Sequence, residues 1–194
     1  MSEKSDKIAK SPQAMMSAYL TERSDKLARW CAATVKPESL IRFALLDYGR
    51  SDALQKCSPE SIYLSLIGAA VLGLEPSGIM GDGWIVPYGT TAMFIAGYRG
   101  KIKLVRRSGA VRDVYAHIVC DRDIFRFLAG SNPRVDHEIH LDDRGPIRGA
   151  YAIAKLTDGG EHVETMNLPE LEYARAKARR GGKESPAWSD WPGE

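Results

Sequence analysis

The residues of this chain that could do chemistry are concentrated in two short basic segments. Six Lys and Arg residues and no acids lie between Tyr98 and Arg112, and five more, again without an acid, lie between Arg175 and Lys183. The rest of the chain carries 16 basic and 25 acidic residues, a balance of −9. Two concentrated positive segments on an otherwise acidic chain are typical of a protein that binds a polyanion, although a single charge run is more often a solvated face.

The first basic segment follows one face of a predicted helix that runs from Tyr98 to Ser108 and ends at Gly109. At roughly 100° per residue, one arc of this helix carries four cations, which are Arg99, Lys103, Arg106 and Arg107. A neighbouring apolar arc is expected to pack on a sheet, and it consists of Tyr98, Ile102 and Val105. Each DNA phosphate that is neutralised releases a counterion, and Arg can bind phosphate through two parallel hydrogen bonds. The pattern therefore predicts a DNA-binding helix, with a basic solvent face as the alternative.

Further candidates for DNA contact lie outside this arc. Lys101 and Arg112 belong to the same basic segment, but Lys101 points away from the arc. The cations of the second segment scatter around their helix, which favours a mobile arm or a contact between subunits; they are Arg175, Lys177, Arg179 and Arg180. Aromatic side chains can stack on bases without sequence preference. The candidates for stacking are Tyr98, Trp188 and Trp191, and Tyr98 could equally belong to the core.

Motifs for enzyme or metal chemistry fail on spacing. The glycines Gly78, Gly81 and Gly83 are not followed by the Gly-Lys-Ser/Thr of a nucleotide-binding loop. His137 and His140 would point to opposite faces of a strand, which argues against a metal site. Four acids are interpreted as turn residues, namely Asp121, Asp123, Asp142 and Asp143. We therefore expect no catalytic residue, no cofactor and no metal, and the alternative from another class is a metal-dependent nuclease that uses the acidic turns.

Composition predicts an ordinary globular protein. A chain of 194 residues with 44% hydrophobic and 27% charged residues is long enough for one folded domain with a core. The three cysteines, Cys31, Cys57 and Cys120, are widely spaced and indicate reduced thiols in a cytoplasmic protein. No apolar run approaches 18 residues, and the first residues lack the apolar core of a signal peptide, so we expect no membrane association.

The apolar pattern predicts an α+β fold with an N-terminal helical segment and an antiparallel sheet made of a hairpin and a meander. The helices are expected over residues 13–33 as one or two pieces, from Pro37 to near Gly49, and from a Ser58-Pro59 cap through Leu72. The part from Ile62 to Leu72 is apolar nearly all round and is expected to be buried.

Strands are predicted after the glycine-rich loop, with Trp84–Pro87 and Ala92–Ala96 forming the hairpin. Gly97 and Gly100 flank the strand-to-helix junction, where we expect a positive φ or a close backbone approach. The meander strands are Val111–Cys120, Ile124–Leu128, Arg134–His140, Arg148–Lys155 and Glu161–Met166. Asn167 and Glu170 form a capping box for a last helix that runs to about Arg180.

We therefore divide the chain into a flexible N-terminus over residues 1–12, a single α+β domain for DNA binding and oligomerisation over residues 13–180, and a tail over residues 181–194.

A series of motifs occurs in order between Ser39 and Trp191. They are Leu72–Pro76, Trp84–Gly89, Ile95–Gly100, Leu104–Gly109, Val119–Asp123, Phe125–Phe127, Tyr151–Gly160, and Pro186-Ala-Trp188 with Trp191. In this order and at this spacing they resemble the core of RecT-type single-strand annealing proteins, the RecT/Redβ superfamily. The most specific element is Gly97-Tyr-Arg-Gly100 followed by Arg106-Arg-Ser-Gly109.

The resemblance implies a protein that coats single-stranded DNA and anneals complementary strands without ATP, as a homo-oligomeric ring or helical filament. Such proteins act in recombination and DNA repair beside a 5′–3′ exonuclease, and most are encoded by phages or prophages, which implies the cytoplasm of a bacterial host. The alternatives within the binding class are a passive coating protein and an assembly module for acidic protein surfaces. Members of the family continue beyond the Trp-containing tail into another basic helix, so we expect this chain, which ends at Glu194, to be C-terminally truncated.

Overall fold

The computed structural model of the chain describes residues 11–178, and their fold is α+β with antiparallel sheets, as predicted. Two compact units can be distinguished, Met1–Leu104, here called the helical unit, and Val105–Glu194, here called the sheet unit. We predicted a single domain, that is, a chain that folds cooperatively as a whole. A division into two compact units does not test cooperative folding, so the single domain stays a prediction. Within the described part of the chain, no helix combines the length and apolar character needed to span a bilayer.

The described residues of the helical unit form five helices, a hairpin and the first part of a sixth helix. Their bounds are α1 Pro12–Glu22, α2 Ser24–Ala28, α3 Pro37–Arg50, α4 Asp52–Gln55, α5 Pro59–Leu72, β1 Gly83–Tyr88, β2 Thr91–Ala96 and α6 Tyr98–Arg107. The boundary with the sheet unit falls inside α6, after Leu104. The N-terminal helical region is thus divided into two pieces, one of the two outcomes that the sequence left open.

Local signals place α5 as expected. The Ser58 hydroxyl oxygen accepts a hydrogen bond from the Ser61 N–H at 3.2 Å, and Pro59 occupies the first helical position. Gly73 ends the helix with a φ of 61°, a left-handed conformation that favours glycine.

The expectation that α5 is buried all round is wrong on one face. Leu66 is fully buried, whereas Leu64 is 58% exposed and Val71 is similarly open. The reason is the packing partners of the helix. It contacts α1, α2, α3 and the β1–β2 hairpin, and these partners leave the side with Leu64 and Val71 open.

The predicted hairpin is confirmed. Strands β1 and β2 pair antiparallel, with Trp84 opposite Ile95 and Tyr88 opposite Thr91. Because successive side chains of a strand point to opposite faces, the hairpin has an inner face with buried Ile85 and an outer face with exposed Trp84 and Tyr88.

The sheet unit contains the end of α6, five strands and one helix. These elements are β3 Val111–Cys120, β4 Ile124–Leu128, β5 Arg134–Glu138, β6 Ile147–Leu156, β7 Glu161–Asn167 and α7 Leu168–Ala178. The expected continuous meander is wrong in its middle, because β4 and β5 form a separate two-stranded sheet. The ten-residue strands β3 and β6 pair directly with each other, with Tyr115 opposite Ile153, and β7 pairs with the other edge of β6.

The predicted capping box of α7 is confirmed. The Asn167 N–H donates to Glu170 Oε2 at 2.8 Å, and the Glu170 N–H donates in return to Asn167 Oδ1 at 3.0 Å. The predicted end of this helix near Arg180 lies outside the described residues, as do residues 1–10 of the predicted flexible N-terminus and the predicted tail over residues 181–194. The remainder of that predicted flexible segment is ordered, since Ser11 caps α1 and Pro12 begins it.

All three cysteines are free thiols, as expected for a reduced protein. Cys57 lies buried in the helical unit and Cys120 buried in the sheet unit, whereas Cys31 is half-buried. Burial raises the pKa of the Cys57 thiol, and burial together with the charge of Glu38 raises the pKa of Cys31.

Candidate nucleic-acid interface

The start of α6 is held against the end of the glycine-rich loop by a very close backbone approach. The Gly97 N–H donates to the Asp82 carbonyl oxygen at 2.9 Å. A Cβ on Gly100 would lie 2.0 Å from that same carbonyl oxygen, and a Cβ on Gly97 would lie 2.7 Å from the carbonyl oxygen of Gly81. Neither Gly97 nor Gly100 has a positive φ. Of the two reasons that the sequence allowed for these glycines, close approach is the one that applies.

The inward position of Gly100 fixes which side of α6 faces the solvent. Tyr98 precedes it by two residues, a rotation of about 200°, so its ring points away and is 60% exposed. The expectation that Tyr98 and Val105 pack on a sheet is therefore wrong, since Val105 is exposed as well and only Ile102 of that arc is half-buried. An exposed ring at this position is available to stack on a base.

The structure places five of the six cations of the first basic segment on one helix, and Arg112 lies on β3. All of the predicted arc is exposed, as is Lys101 on the opposite side of the helix; the arc residues are Arg99, Lys103, Arg106 and Arg107. The Arg99 Nε donates to the Tyr98 hydroxyl oxygen at 2.9 Å, and its Cζ lies 5.6 Å from the centroid of the Tyr98 ring. This arrangement places a guanidinium and an aromatic ring side by side, a combination that suits phosphate and base together.

Lys103 has a carboxylate partner that the sequence analysis missed. Its ammonium lies 2.7 Å from Asp82 Oδ2, and only 7% of the Asp82 side chain is exposed. The same carboxylate oxygen accepts a hydrogen bond from the Glu75 N–H at 3.3 Å. Lys103 therefore ties α6 to the glycine-rich loop. No local pattern revealed this pair, because its members are 21 residues apart.

Arg106 also has a carboxylate partner. Its Nη2 forms an ion pair with Asp113 Oδ1, and both side chains are about half exposed. The Val114 N–H donates to the same oxygen at 2.9 Å. Asp113 follows an irregularity in β3, where the pairing passes from Val111–Leu156 to Asp113–Lys155 and leaves Arg112 as an extra residue. Asp113 is the first acid after the helix, which is the signal that could have found it.

The second basic segment forms a less regular surface. The Arg175 Nη1 lies 3.3 Å from Glu172 Oε1 on the same helix face, and the Lys177 Nζ lies 4.5 Å from the centroid of the Tyr173 ring. Arg112 is exposed on the irregular part of β3. The remaining predicted residues lie outside the described residues, namely Arg179, Arg180, Trp188 and Trp191.

The sheet unit contains a buried charge cluster around Asp123, which the sequence analysis had interpreted only as a turn residue. Its side chain is 0% exposed and accepts hydrogen bonds from Arg144 Nη2 at 2.6 Å and Nε at 3.2 Å. The backbone N–H groups of Cys120 and His140 donate to it at 2.8 Å and 3.0 Å. Arg144, with these backbone donors, holds the pKa of Asp123 far below its usual range, despite burial.

His137 completes this buried cluster. Its Nε2 lies 3.3 Å from Asp123 Oδ2, and its Nδ1 lies 3.2 Å from the Tyr151 hydroxyl. His140 is exposed and contributes its backbone only. Across residues 11–178, no group of three or more His, Cys, Asp or Glu side chains has the arrangement of a metal site. Through its hydrogen bonds, Asp123 joins the end of β3 at Cys120 to His140 and Arg144 within the sheet unit.

Comparison with known proteins finds a family match over most of the chain. Residues 38–194 match the RecT family. The chain is 30% identical over 165 residues to "Protein RecT" of Escherichia coli (strain K12), which covers 81% of the chain and 61% of that protein. It is 40% identical over 149 residues to "Uncharacterized protein YqaK" of Bacillus subtilis (strain 168), which covers 74% of the chain and 50% of that protein. The chain thus spans between half and about three-fifths of the length of these curated relatives.

Proposed function

The chain belongs to the RecT family, and on that premise we propose that it binds single-stranded DNA and anneals complementary strands in recombination. The proposal includes action without ATP, as an oligomer, beside a 5′–3′ exonuclease that exposes the strand in the cytoplasm of a bacterial host. The observation that carries it is the exposed basic face of α6, which lies within the residues that match the family.

Annealing requires no covalent chemistry, because base pairing supplies the free energy. The protein has to neutralise the repulsion between two phosphate backbones and to keep the bases extended and accessible. Cations on one face of a helix serve the first purpose, and sequence-tolerant stacking on aromatic rings serves the second. On α6 the first role falls to the cations of the arc, which include Arg99 and Arg107, and the second falls to Tyr98.

The other candidate residues extend this surface. Lys101, on the opposite side of α6, and Arg112, on β3, add positive charge near the arc, while Lys103 and Arg106 are arc cations that each have a carboxylate partner. The second basic segment contributes from the same chain or from an adjacent subunit, and its residues are Arg175, Lys177, Arg179 and Arg180. Trp188 and Trp191 are the further stacking candidates.

The test is the annealing rate of two labelled complementary oligonucleotides in the absence of nucleotide. We expect the protein to accelerate annealing, and the double variant Arg99→Ala with Arg107→Ala to lose most of the acceleration. The slope of log affinity for single strands against log salt should become shallower by about 1.4, which is about 0.7 for each lost phosphate contact. The matched control removes two exposed arginines of the sheet unit, Arg122→Ala with Arg134→Ala, and should leave both quantities near wild type.

The same assay separates the alternatives. Binding without any acceleration identifies a passive coating protein, and shortened products in the presence of Mg²⁺ or Mn²⁺ identify a nuclease. If the protein binds an acidic protein surface and an oligonucleotide does not displace it, the protein is an assembly module. Equal losses in the α6 variant and in the control would reject α6 as the DNA-binding surface.

The order of addition gives a second test of annealing. Complementary oligonucleotides added one after the other should give a large, salt-resistant assembly, whereas preformed duplex should bind weakly. The reason is that an extended intermediate can be reached only while the bases are unpaired, and a second strand roughly doubles the phosphate charge on the same cations. Complexes of equal salt resistance from both orders would contradict annealing as the activity.

A further inference from the structure

We propose that Asp113 is an internal competitor for DNA phosphate. In the DNA-free protein its carboxylate forms an ion pair with the guanidinium of Arg106, and a DNA phosphate has to displace the carboxylate in order to bind there. This inference rests on the proposed function, because it concerns the surface of α6 that is assigned to DNA. It adds an acidic residue that lowers the affinity of that surface.

The first argument is the geometry of the pair. Asp113 Oδ1 contacts Arg106 Nη2 and is itself fixed by the Val114 N–H at 2.9 Å. The irregularity at Arg112 precedes it, and a bulge of this kind changes the direction of the neighbouring side chain. The carboxylate is thus held in place before any ligand arrives, and its oxygen takes a donor of Arg106 that a phosphate oxygen could otherwise accept from.

The second argument is that the pair can open. Asp113 keeps about half of its side-chain surface in water, and an ion pair that is exposed to this degree is weak because solvent and salt screen it. A phosphate can therefore replace the carboxylate on Arg106, while Asp113 regains water and retains its Val114 hydrogen bond.

The pair formed by Lys103 and Asp82 shows the contrasting case. The Asp82 side chain is 7% exposed, and its carboxylate also accepts a hydrogen bond from the Glu75 N–H. Separation from Lys103 would therefore leave a buried charge without its cation. This pair anchors the helix and is not displaced by DNA. The two carboxylates therefore act differently on the same helix, and only the exposed one competes with the ligand.

Such a competitor suits annealing. Strands find their register only if contacts with the protein break and re-form before pairing succeeds, so a surface that grips phosphate too tightly would slow the search. We expect Asp113 to keep the contact of Arg106 with DNA short-lived.

The decisive variant is Asp113→Asn in the 194-residue chain. Affinity for a single-stranded oligonucleotide should rise about two- to five-fold at low salt, the range expected when a weak exposed ion pair no longer competes. The slope of log affinity against log salt should steepen by up to about 0.7, because no released carboxylate takes up the counterion that the phosphate on Arg106 gives up. Annealing at saturating protein should become slower than wild type.

The matched control is Asp136→Asn. Asp136 is paired with Arg134 at 2.8 Å and has nearly the same side-chain exposure as Asp113, 46% against 47%. The substitution removes the same charge and releases an arginine of the same unit, but on β5 instead of α6. A general effect of net charge would raise affinity equally in both variants, whereas the proposal expects the gain in Asp113→Asn alone.

A double-mutant cycle assigns the gain to Arg106. In an Arg106→Ala background, Asp113→Asn should no longer raise affinity. If it does, or if Asp136→Asn matches its effect, or if annealing becomes faster, the inference is wrong. If the wild-type chain shows no salt-dependent binding to single strands, the proposed function fails instead. Asp113→Ser, whose hydroxyl oxygen can still accept the Val114 N–H, carries the same test if Asp113→Asn folds poorly.

Discussion

The helical unit and the sheet unit have interiors of different kinds. The helical unit buries a large cluster of aliphatic side chains, with Leu20, Leu27, Leu40 and Leu66 almost completely removed from water. The buried apolar cluster of the sheet unit is small and centres on Val119, Tyr151 and Ile153. Beside it lies the Asp123–Arg144 pair with its backbone donors.

This difference shows two ways of fixing a chain. Helices that pack around one another can cover long side chains on several sides, so burial of apolar surface dominates their stability. A three-stranded sheet covers less, and the loops between its strands need another source of order. In the sheet unit that source is the buried carboxylate of Asp123, which joins the segment after β3 to the backbone of His140 and to the side chain of Arg144. We therefore expect the helical unit to respond to changes in packing and the sheet unit to changes in charge.

The largest effect is expected from Arg144→Met, which removes the main partner of a buried carboxylate while keeping an apolar stem. Leaving one member of a buried ion pair without the other is strongly destabilising. Hydrogen exchange should show protection of β3 and β6 amides lost, while the amides of α5 keep theirs. Protection in β3 that equals wild type would break the comparison, because the sheet unit would then not depend on its charge cluster.

A smaller effect is expected from Leu66→Ala in the core of the helical unit. The side chain is fully buried, and its truncation should reduce the free energy of unfolding by about 2–5 kcal/mol, measured by denaturant titration. Leu64→Ala on the exposed face of the same helix is the matched control and should change stability by less than about 0.5 kcal/mol. Similar losses in both variants would mean that the face of α5 around Leu64 is covered in solution.

The smallest effect is a gradual response to acid. The pKa of Asp123 is lower in the folded chain than in the unfolded chain, so the folded form binds fewer protons and loses stability as the pH falls. The contribution is complete above the ordinary Asp pKa of about 4 and declines below it. Hydrogen exchange between pH 5 and 3 should therefore show β3 and β6 losing protection before α5. The opposite order would place the acid-sensitive group in the helical unit.

Local signals in the sequence were sufficient for most of the secondary structure. The Ser58-Pro59 start of α5, the capping box of Asn167 and Glu170, and the bounds of β3 and β4 follow from residues within a few positions of one another. These features depend on backbone conformation and on nearest neighbours, which a short stretch of sequence specifies.

The rest depends on partners that are distant along the chain. Asp123 occupies a turn, as predicted, but its role comes from Arg144, which is 21 residues away. The open face of α5 depends on which elements pack against it. The carboxylate partner of Arg106 depends on a bulge that shifts the register of β3 by one residue. Charge counts along α6 could therefore locate a basic helix but could not show which of its cations are already paired.

The alkylation rates of Cys57 and Cys120 can be used to compare how often each unit opens. A thiol reacts with an alkylating reagent only when it is both accessible and ionised, and each of these two sulfurs is buried. Their labelling under excess reagent therefore follows the opening of the surrounding structure, one thiol for each unit. Cys31, half-buried, supplies the faster reference within the same molecule. Mass spectrometry of a single timed reaction would then measure both labelling rates, that of Cys57 for the apolar core of the helical unit and that of Cys120 for the sheet unit with its charge cluster.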